Sequence, residues 1–371
     1  MLTEILLLNP VYVTIFWFFA LIANNSKTHK PKVFLAWFMA TASVLYLSHF
    51  FYFTQNYSIY VYLDSIYTLA YLLVYPMYHV YVRLLTVDSS FSVKSHGRYF
   101  IAPLLIFVAV LSGYLIMGYE KSLAFIVDIL VSGNKAKGIH FYMKILFVTG
   151  RAVFILQTVL YLYLSYKLIK VNNLRLQDYY SNMEERRLNW VQFFNICLAF
   201  TSVSSGVLAS LGRNFFLQNP WLLIFPSAVF TTMLFIIGLL GNKQKAIFTE
   251  VASVTEVTEE GKPPLRLKKR LEELFEKEMI YKNADLKIWD LTSMLGTNRT
   301  YVSKLINTEY GRNFCAHVNH YRIEHAKQLI EKNKNLSNEQ IAELSGFGSL
   351  NSFYRSFQSV EGISVGAYRK Q

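Results

Sequence analysis

The chain has 371 residues; 53% are hydrophobic, 16% aromatic and only 16% charged, and the formal net charge is +13. Soluble domains carry nearer a quarter charged residues, so a wholly soluble protein is a poor fit. The two cysteines, Cys197 and Cys315, lie in different halves. That excludes a disulfide framework or a cysteine-rich zinc site and suits a reduced, cytosolic setting for the C-terminal part. A basic balance fits nucleic acid or an anionic membrane surface, and charge alone does not choose between them.

The shortage of charge is confined to the stretch from Met1 to about Leu240. A helix needs about 20 apolar residues to cross the ~30 Å hydrocarbon core of a bilayer. Seven stretches reach that length: Ile5–Ala23, Val33–Phe53, Ser58–Val82, Tyr99–Met117, His140–Tyr166, Trp190–Leu211 and Trp221–Leu240. The first has no basic segment before it, as a signal peptide would. Lys and Arg concentrate in alternate gaps. Lys27, Lys30 and Lys32 follow the first span; Arg83, Lys94 and Arg98 the third; Lys167, Lys170, Arg175, Arg186 and Arg187 the fifth; Lys243 and Lys245 the last. The other gaps are poorer, with Lys121, Lys135 and Lys137 in the fourth and Arg213 in the sixth. The bias predicts a cytoplasmic C-terminus and, with seven spans, an N-terminus outside.

Several polar side chains fall inside these spans: His49, Asp64, His79, Lys144, Arg151, Gln157 and Asn195. Intramembrane ionisable groups are costly and are functional candidates. The plainer readings are snorkelling for His49 and Lys144 and helix-to-helix hydrogen bonds for Gln157 and Asn195. Asp64 and Arg151 are the sharper pair, candidates for a buried ion pair or a sensing site between the third and fifth spans. Pro76 and Pro226 are expected kinks. The many tyrosines and phenylalanines suit interfacial belts as well as a ligand pocket.

Residues 243–264 read as a polar linker, acidic in the middle and closed by Gly261-Lys262-Pro263-Pro264. Ile247, Val251 and Val254 keep helical spacing, so its first part can continue the last span. Fully extended, about 22 residues reach roughly 70 Å. From Leu265, Leu267, Leu271 and Leu274 make an apolar stripe too short for a coiled coil. Arg266, Lys268, Lys269 and Arg270 form a basic patch beside it, most simply a solvated face.

Beyond it the spacing predicts two short helix pairs joined by a longer helix. Ile288–Leu295 ends at Gly296; Asn298 then caps Arg299 to about Tyr310. A linking helix covers about Phe314–Lys332. Ser337 and Gln340 stand in capping-box spacing, Gly346-Phe347-Gly348 turns the chain, and Ser349 caps Leu350 to about Val360. Val302, Leu305, Ile306, Phe353 and Phe357 should face inward. Arg299, Thr300, Ser303 and Lys304 stay on the open face of one helix, and Asn351, Ser352, Tyr354 and Arg355 on that of the other. A helix pair of this layout places the N-terminal end of its second helix in the DNA major groove.

Asp285-Leu286, Asp290-Leu291, Tyr301-Val-Ser-Lys-Leu305, Asn319-His-Tyr-Arg-Ile-Glu-His-Ala-Lys327, Ile341-Ala342, Gly346-Phe347, Ser352-Phe353, Phe357 and Tyr368-Arg369 resemble the AraC/XylS transcriptional regulators over about Leu265–Gln371. The seven-span part has no likeness to the soluble sensor domain usual in that family and resembles its membrane-bound bacterial members. The resemblance implies that Arg299, Thr300, Ser303, Lys304, Leu350, Asn351, Tyr354 and Arg355 form the DNA-binding surface. Arg355 and Asn351 lead as base readers, because Arg and Asn read guanine and adenine through bidentate hydrogen bonds. It also implies that Arg322 braces the linking helix and does not touch DNA. Gln358 stands where the family often has Lys, and Val365 where it usually has Pro.

The expected fold is therefore all-α: a seven-transmembrane helix bundle over 1–242, a linker over 243–264, and a double helix-turn-helix domain over 265–371. The expected activity is membrane-bound, sequence-specific transcription regulation driven by an unidentified signal. Double-stranded DNA and the lipid bilayer are the expected partners, and RNA polymerase and a second copy of the chain fit the same reading. The expected place is the bacterial inner membrane. A transporter or channel with a DNA-binding regulatory domain is the alternative. No phosphate loop, His-Glu-x-x-His run, metal cluster or kinase signature is present in the sequence, so no enzyme activity, cofactor or metal is expected.

Overall fold

The structure is a computed structural model that describes residues 2–23, 30–88, 90–183, 188–210, 220–244 and 265–370. The expected linker past Gln244, the basic residues Lys27, Arg186, Arg187 and Lys245, and the sixth gap with Arg213 lie outside the described residues. The chain divides into two compact units. One is Met1–Ile169 with Asn189–Val251; the other is Lys170–Leu188 with Ala252–Gln371. The segment Lys170–Leu188, read from sequence as a gap between spans, thus belongs to the second unit.

Both units are helical. Among the described residues the only strand-like pairing is an isolated bridge between Tyr180 and Lys287. The first unit is built from α1 (Leu2–Ala23), α2 (Lys30–Phe53), α3 (Tyr57–Thr86), α4 (Ile101–Ala124), α5 (Ile139–Leu176), α6 (Asn189–Ser210) and α7 (Ile224–Lys243). Helix α1 packs on α2 and α7, α2 on α3, and α3 on α4. Among the described residues six segments are long and apolar enough to cross a membrane: Glu4–Ala23, Pro31–Phe53, Tyr57–Thr86, Val93–Val131, Ile139–Leu176 and Trp221–Lys243. The remaining expected span, Trp190–Leu211, forms as α6 but is not one of these six. Leu105, Leu115, Ile116, Leu156, Val159 and Phe225 each leave at least 67% of their surface exposed. Apolar surface of that extent is stable against lipid or a partner and prone to aggregate in water.

One of the two expected kink positions does not fall in a helix interior. Pro76 is buried inside α3. Pro226 is the third residue of α7, in the first turn, where a missing N–H costs no helical bond. A break falls at Gly118, whose φ of 70° and ψ of 178° interrupt α4. The buried Asp64 also has other partners than predicted. It accepts hydrogen bonds from Tyr60 Oη at 2.5 Å and from Tyr114 Oη. Arg151 is exposed on α5, and no ion pair joins it to Asp64 among the described residues. Tyrosine hydroxyls hold a buried carboxylate without requiring a second charge to be desolvated. His49 meets Tyr67 and His79 meets Ser165, each at 3.1 Å, while Asn195 donates to the Leu162 carbonyl.

The second unit has two cores around one shared helix. Leu271, Leu274 and Phe275 of α8 (Leu265–Glu276) are fully buried with Ile288 and Leu291 of α9 (Ile288–Leu295). Val302, Leu305 and Ile306 of α10 (Arg299–Tyr310), and Phe314 and Val318 of α11 (Phe314–Lys332), complete that core. One turn further along α11, Ile323, Ala326 and Ile330 enter the second core. There they meet Ile341 and Ala342 of α12 (Asn338–Leu344), Phe353 and Phe357 of α13 (Leu350–Glu361) and Val365 of α14 (Val365–Tyr368). Burying a phenylalanine contributes roughly 1.5–3 kcal/mol, so Phe353 and Phe357 largely fix how α13 is presented.

Gly346 joins the two cores. Its φ is +86°, and a Cβ there would lie 2.5 Å from the Tyr281 carbonyl oxygen and 2.6 Å from Lys282 Cα. Only glycine allows that approach.

Candidate nucleic-acid interface

Each reading helix is started by a side chain and steered by its buried face. Asn298 Oδ1 accepts from the Tyr301 amide at 3.0 Å, and Ser349 Oγ from the Ser352 amide at 3.1 Å. Such caps satisfy amides that a helix start otherwise leaves open. Between them, Ser337 and Gln340 close the expected capping box on α12. Gly296, with φ +61°, ends α9 in the left-handed conformation and lets α10 turn away. With Val302, Leu305 and Ile306 inward, Arg299, Thr300 and Ser303 are half-buried at the start of α10 and Lys304 is exposed. With Phe353 and Phe357 inward, Asn351, Tyr354 and Arg355 are exposed on α13.

These side chains are not equally available. Arg355 Nε donates to the Asn351 carbonyl at 3.3 Å, one turn back, which lays the guanidinium along the start of α13. The Tyr354 hydroxyl accepts from Asn338 Nδ2, and Asn338 Oδ1 accepts from Arg369 Nη1. This chain ties α13 to α12 and the C-terminal turn. Leu350 is half-buried and packs against the second core. Ser303 Oγ accepts a long 3.5 Å bond from Asn307. The basic patch on α8 is partly neutralised: Lys268 pairs with Glu309 at 2.7 Å, and Arg270 with Glu273 and Glu278. The Glu309 carboxylate holds the Lys268 ammonium above its ordinary range. That matches a solvated face.

Arg322 is the structural hub. It is 1% exposed and sits on α11 where the two cores meet. Its Nε donates to the Tyr281 carbonyl and its Nη2 to the Asn283 carbonyl, both at 2.7 Å. Nη1 reaches Asn319 Oδ1, Nη2 also reaches Ser181 Oγ, and the guanidinium lies 5.6 Å from the Phe347 ring centre. Burial lowers its pKa to about 10, so it stays charged at neutral pH. The implied bracing role agrees with this geometry.

One participant was not singled out in the sequence. The Arg299 guanidinium lies 4.7 Å over the ring of Tyr179, a residue of the segment after α5. The only sequence signal was an aromatic pair, Tyr179-Tyr180, in an otherwise basic and polar gap.

Residues 291–371 match the family described as "Helix-turn-helix domain". This part of the chain is an AraC-type helix-turn-helix domain. Over 90 residues the chain is 31% identical to the transcriptional regulatory protein YesN of Bacillus subtilis (strain 168), covering 24% of each protein. Over 88 residues it is 31% identical to the HTH-type transcriptional regulator YtdP of the same organism, covering 24% of this chain and 11% of that one. The chain thus spans a quarter or less of the length of these curated relatives. No solved structure matches it. The family match begins inside α9, so α8 and the segment carrying Tyr179 lie outside it.

Proposed function

We propose that this protein is a membrane-bound transcriptional regulator that reads specific DNA sequences and couples a membrane or extracytoplasmic signal to transcription. The observation that carries the reading is the union, in one chain, of six helices among the described residues apolar enough to cross a membrane and an AraC-type helix-turn-helix domain. In this reading α6 crosses as a seventh span, and the Lys and Arg of alternate gaps hold the C-terminal domain on the cytoplasmic face of a bacterial inner membrane, with the N-terminus outside. The two reading helices enter successive major-groove segments about one helical turn apart. Arg355 and Asn351 read bases, and Lys304 contacts a base or a phosphate. Arg299, Thr300, Ser303, Leu350 and Tyr354 complete the surface. The unidentified signal acts on the membrane part, where Asp64 is the buried ionisable candidate; RNA polymerase and a second copy are further partners.

The test is genome-wide occupancy of the full-length protein in its own membrane. Discrete sites sharing a two-part sequence motif are expected. Occupancy without discrete sites sinks the proposal.

A further inference from the structure

Residues 177–182 follow α5 directly and are docked on the helix-turn-helix domain through both backbone and side chains. The Gln177 carbonyl accepts from the Cys315 amide at 2.9 Å, and the Tyr179 carbonyl from the Ile288 amide at 3.0 Å. The Ser181 amide donates to the Leu286 carbonyl at 3.2 Å, and its hydroxyl donates there at 2.7 Å. Asn313 donates to the Gln177 side chain, and Arg322 to Ser181 Oγ. This is a built strap, not a grazing contact. It presents an aromatic ring to Arg299, the first residue of α10. The Tyr179 ring lies under the guanidinium at 4.7 Å, backed on its own side by Trp289 with ring centres 5.2 Å apart. Burial raises the pKa of the neighbouring Asp178, and the Arg299 charge opposes that rise.

A guanidinium seated on Tyr179 is held away from the base edges and phosphates that duplex DNA offers an arginine. Arg299 cannot serve both ring and DNA. We propose that the strap is autoinhibitory: Tyr179 occupies the Arg299 guanidinium in the docked state, and DNA must displace it to engage the first reading helix. The inference rests on the DNA-reading function proposed above and adds a device to it. In sequence the strap directly follows α5.

The test uses the full-length chain in nanodiscs and a labelled duplex enriched from a random-sequence pool. Tyr179→Ala removes the ring. It is expected to tighten binding about three- to tenfold, the equivalent of one cation–π contact. Tyr179→Phe keeps the ring and should bind as wild type. Tyr179→Leu keeps the bulk without the π face and should tighten binding on the same scale. In an Arg299→Ala background, Tyr179→Ala should give no gain. If Tyr179→Ala remains folded and binds no tighter, or tightens binding equally without Arg299, the strap does not inhibit. If Tyr179→Ala unfolds, Tyr179→Leu decides alone, and unchanged affinity overturns the proposal. If neither wild type nor any strap variant enriches a duplex, the DNA-reading function itself falls and this inference with it.

Discussion

Replacing Arg322 by alanine should cost the helix-turn-helix domain much of its stability. The side chain donates two 2.7 Å bonds to the carbonyls of Tyr281 and Asn283 from a site that is 1% exposed. Hydrogen bonds from a charged donor contribute about 1.5–3 kcal/mol each, and a buried acceptor left without its donor carries a further penalty. Removing one partner of a buried charged network typically costs about 3–5 kcal/mol. Against a total near 5–15 kcal/mol for a domain, Arg322→Ala should sit at the edge of folding. Pulse proteolysis of the full chain in urea reads the domain directly. With a denaturant slope of about 1–3 kcal/mol per molar, the midpoint should fall by about 2 M. Arg322→Lys keeps the charge but not the planar fork and should fall in between. A wild-type midpoint for Arg322→Ala would refute the view that this side chain joins the two cores.

Three further outcomes follow from the same geometry. His317 is buried among Phe275, Tyr310 and Tyr321, and burial, with Arg312 and His320 adding, lowers its pKa from 6.5 to about 4. The unfolded chain therefore takes up a proton first. Stability should be level above pH 6.5 and fall as the pH drops from 6.5 towards 4, by ~3 kcal/mol in all; urea midpoints for His317→Phe should lack this component. Gly346→Ala should destabilise the domain by about 2 kcal/mol or more, because the clash is with backbone and φ is positive; unchanged proteolysis would contradict the close approach at Tyr281. Arg355→Ala should cost about 1–3 kcal/mol and relax preference at one base, whereas Lys304→Ala, if its contact is a phosphate, should weaken all sequences alike and reduce the salt slope by about one. Binding titrations on a selected duplex and its single-base variants separate the two.

Much of the second unit was legible because its signals are local. Asn298, Ser337 with Gln340, and Ser349 cap helices within three residues of themselves, and Phe353 with Phe357 repeat at one turn. Spacing along the chain is enough to find such features. The strap was not legible. Ser181 and Arg322 are 141 positions apart, and most of the docking runs through backbone groups, which leave no residue pattern. The polar pairing in the first unit was misjudged for another reason. Opposite charges suggested Asp64 with Arg151, yet Tyr60 stands four residues before Asp64 on the same helix. A hydroxyl one turn away was the nearer partner. The break at Gly118 lay just past the expected end of a span, and a glycine between apolar runs does not announce which conformation it takes.

The strap also imposes an arithmetic on the membrane path. Residues 170–188 and the helix-turn-helix domain form one folded unit, so both must lie on the same side of any bilayer the chain crosses. Between them run α6 and α7. The number of crossings in that interval must therefore be even: for α7, one of the six apolar segments, to cross, α6 has to cross with it. An odd count would leave Ser181 and Arg322 on opposite faces, with some 30 Å of hydrocarbon between them. A substitution that kept α6 from inserting would then disable the reader without touching it. In the proposed membrane-bound protein, completion of the reader would act as a proofreading step for insertion of the last two helices.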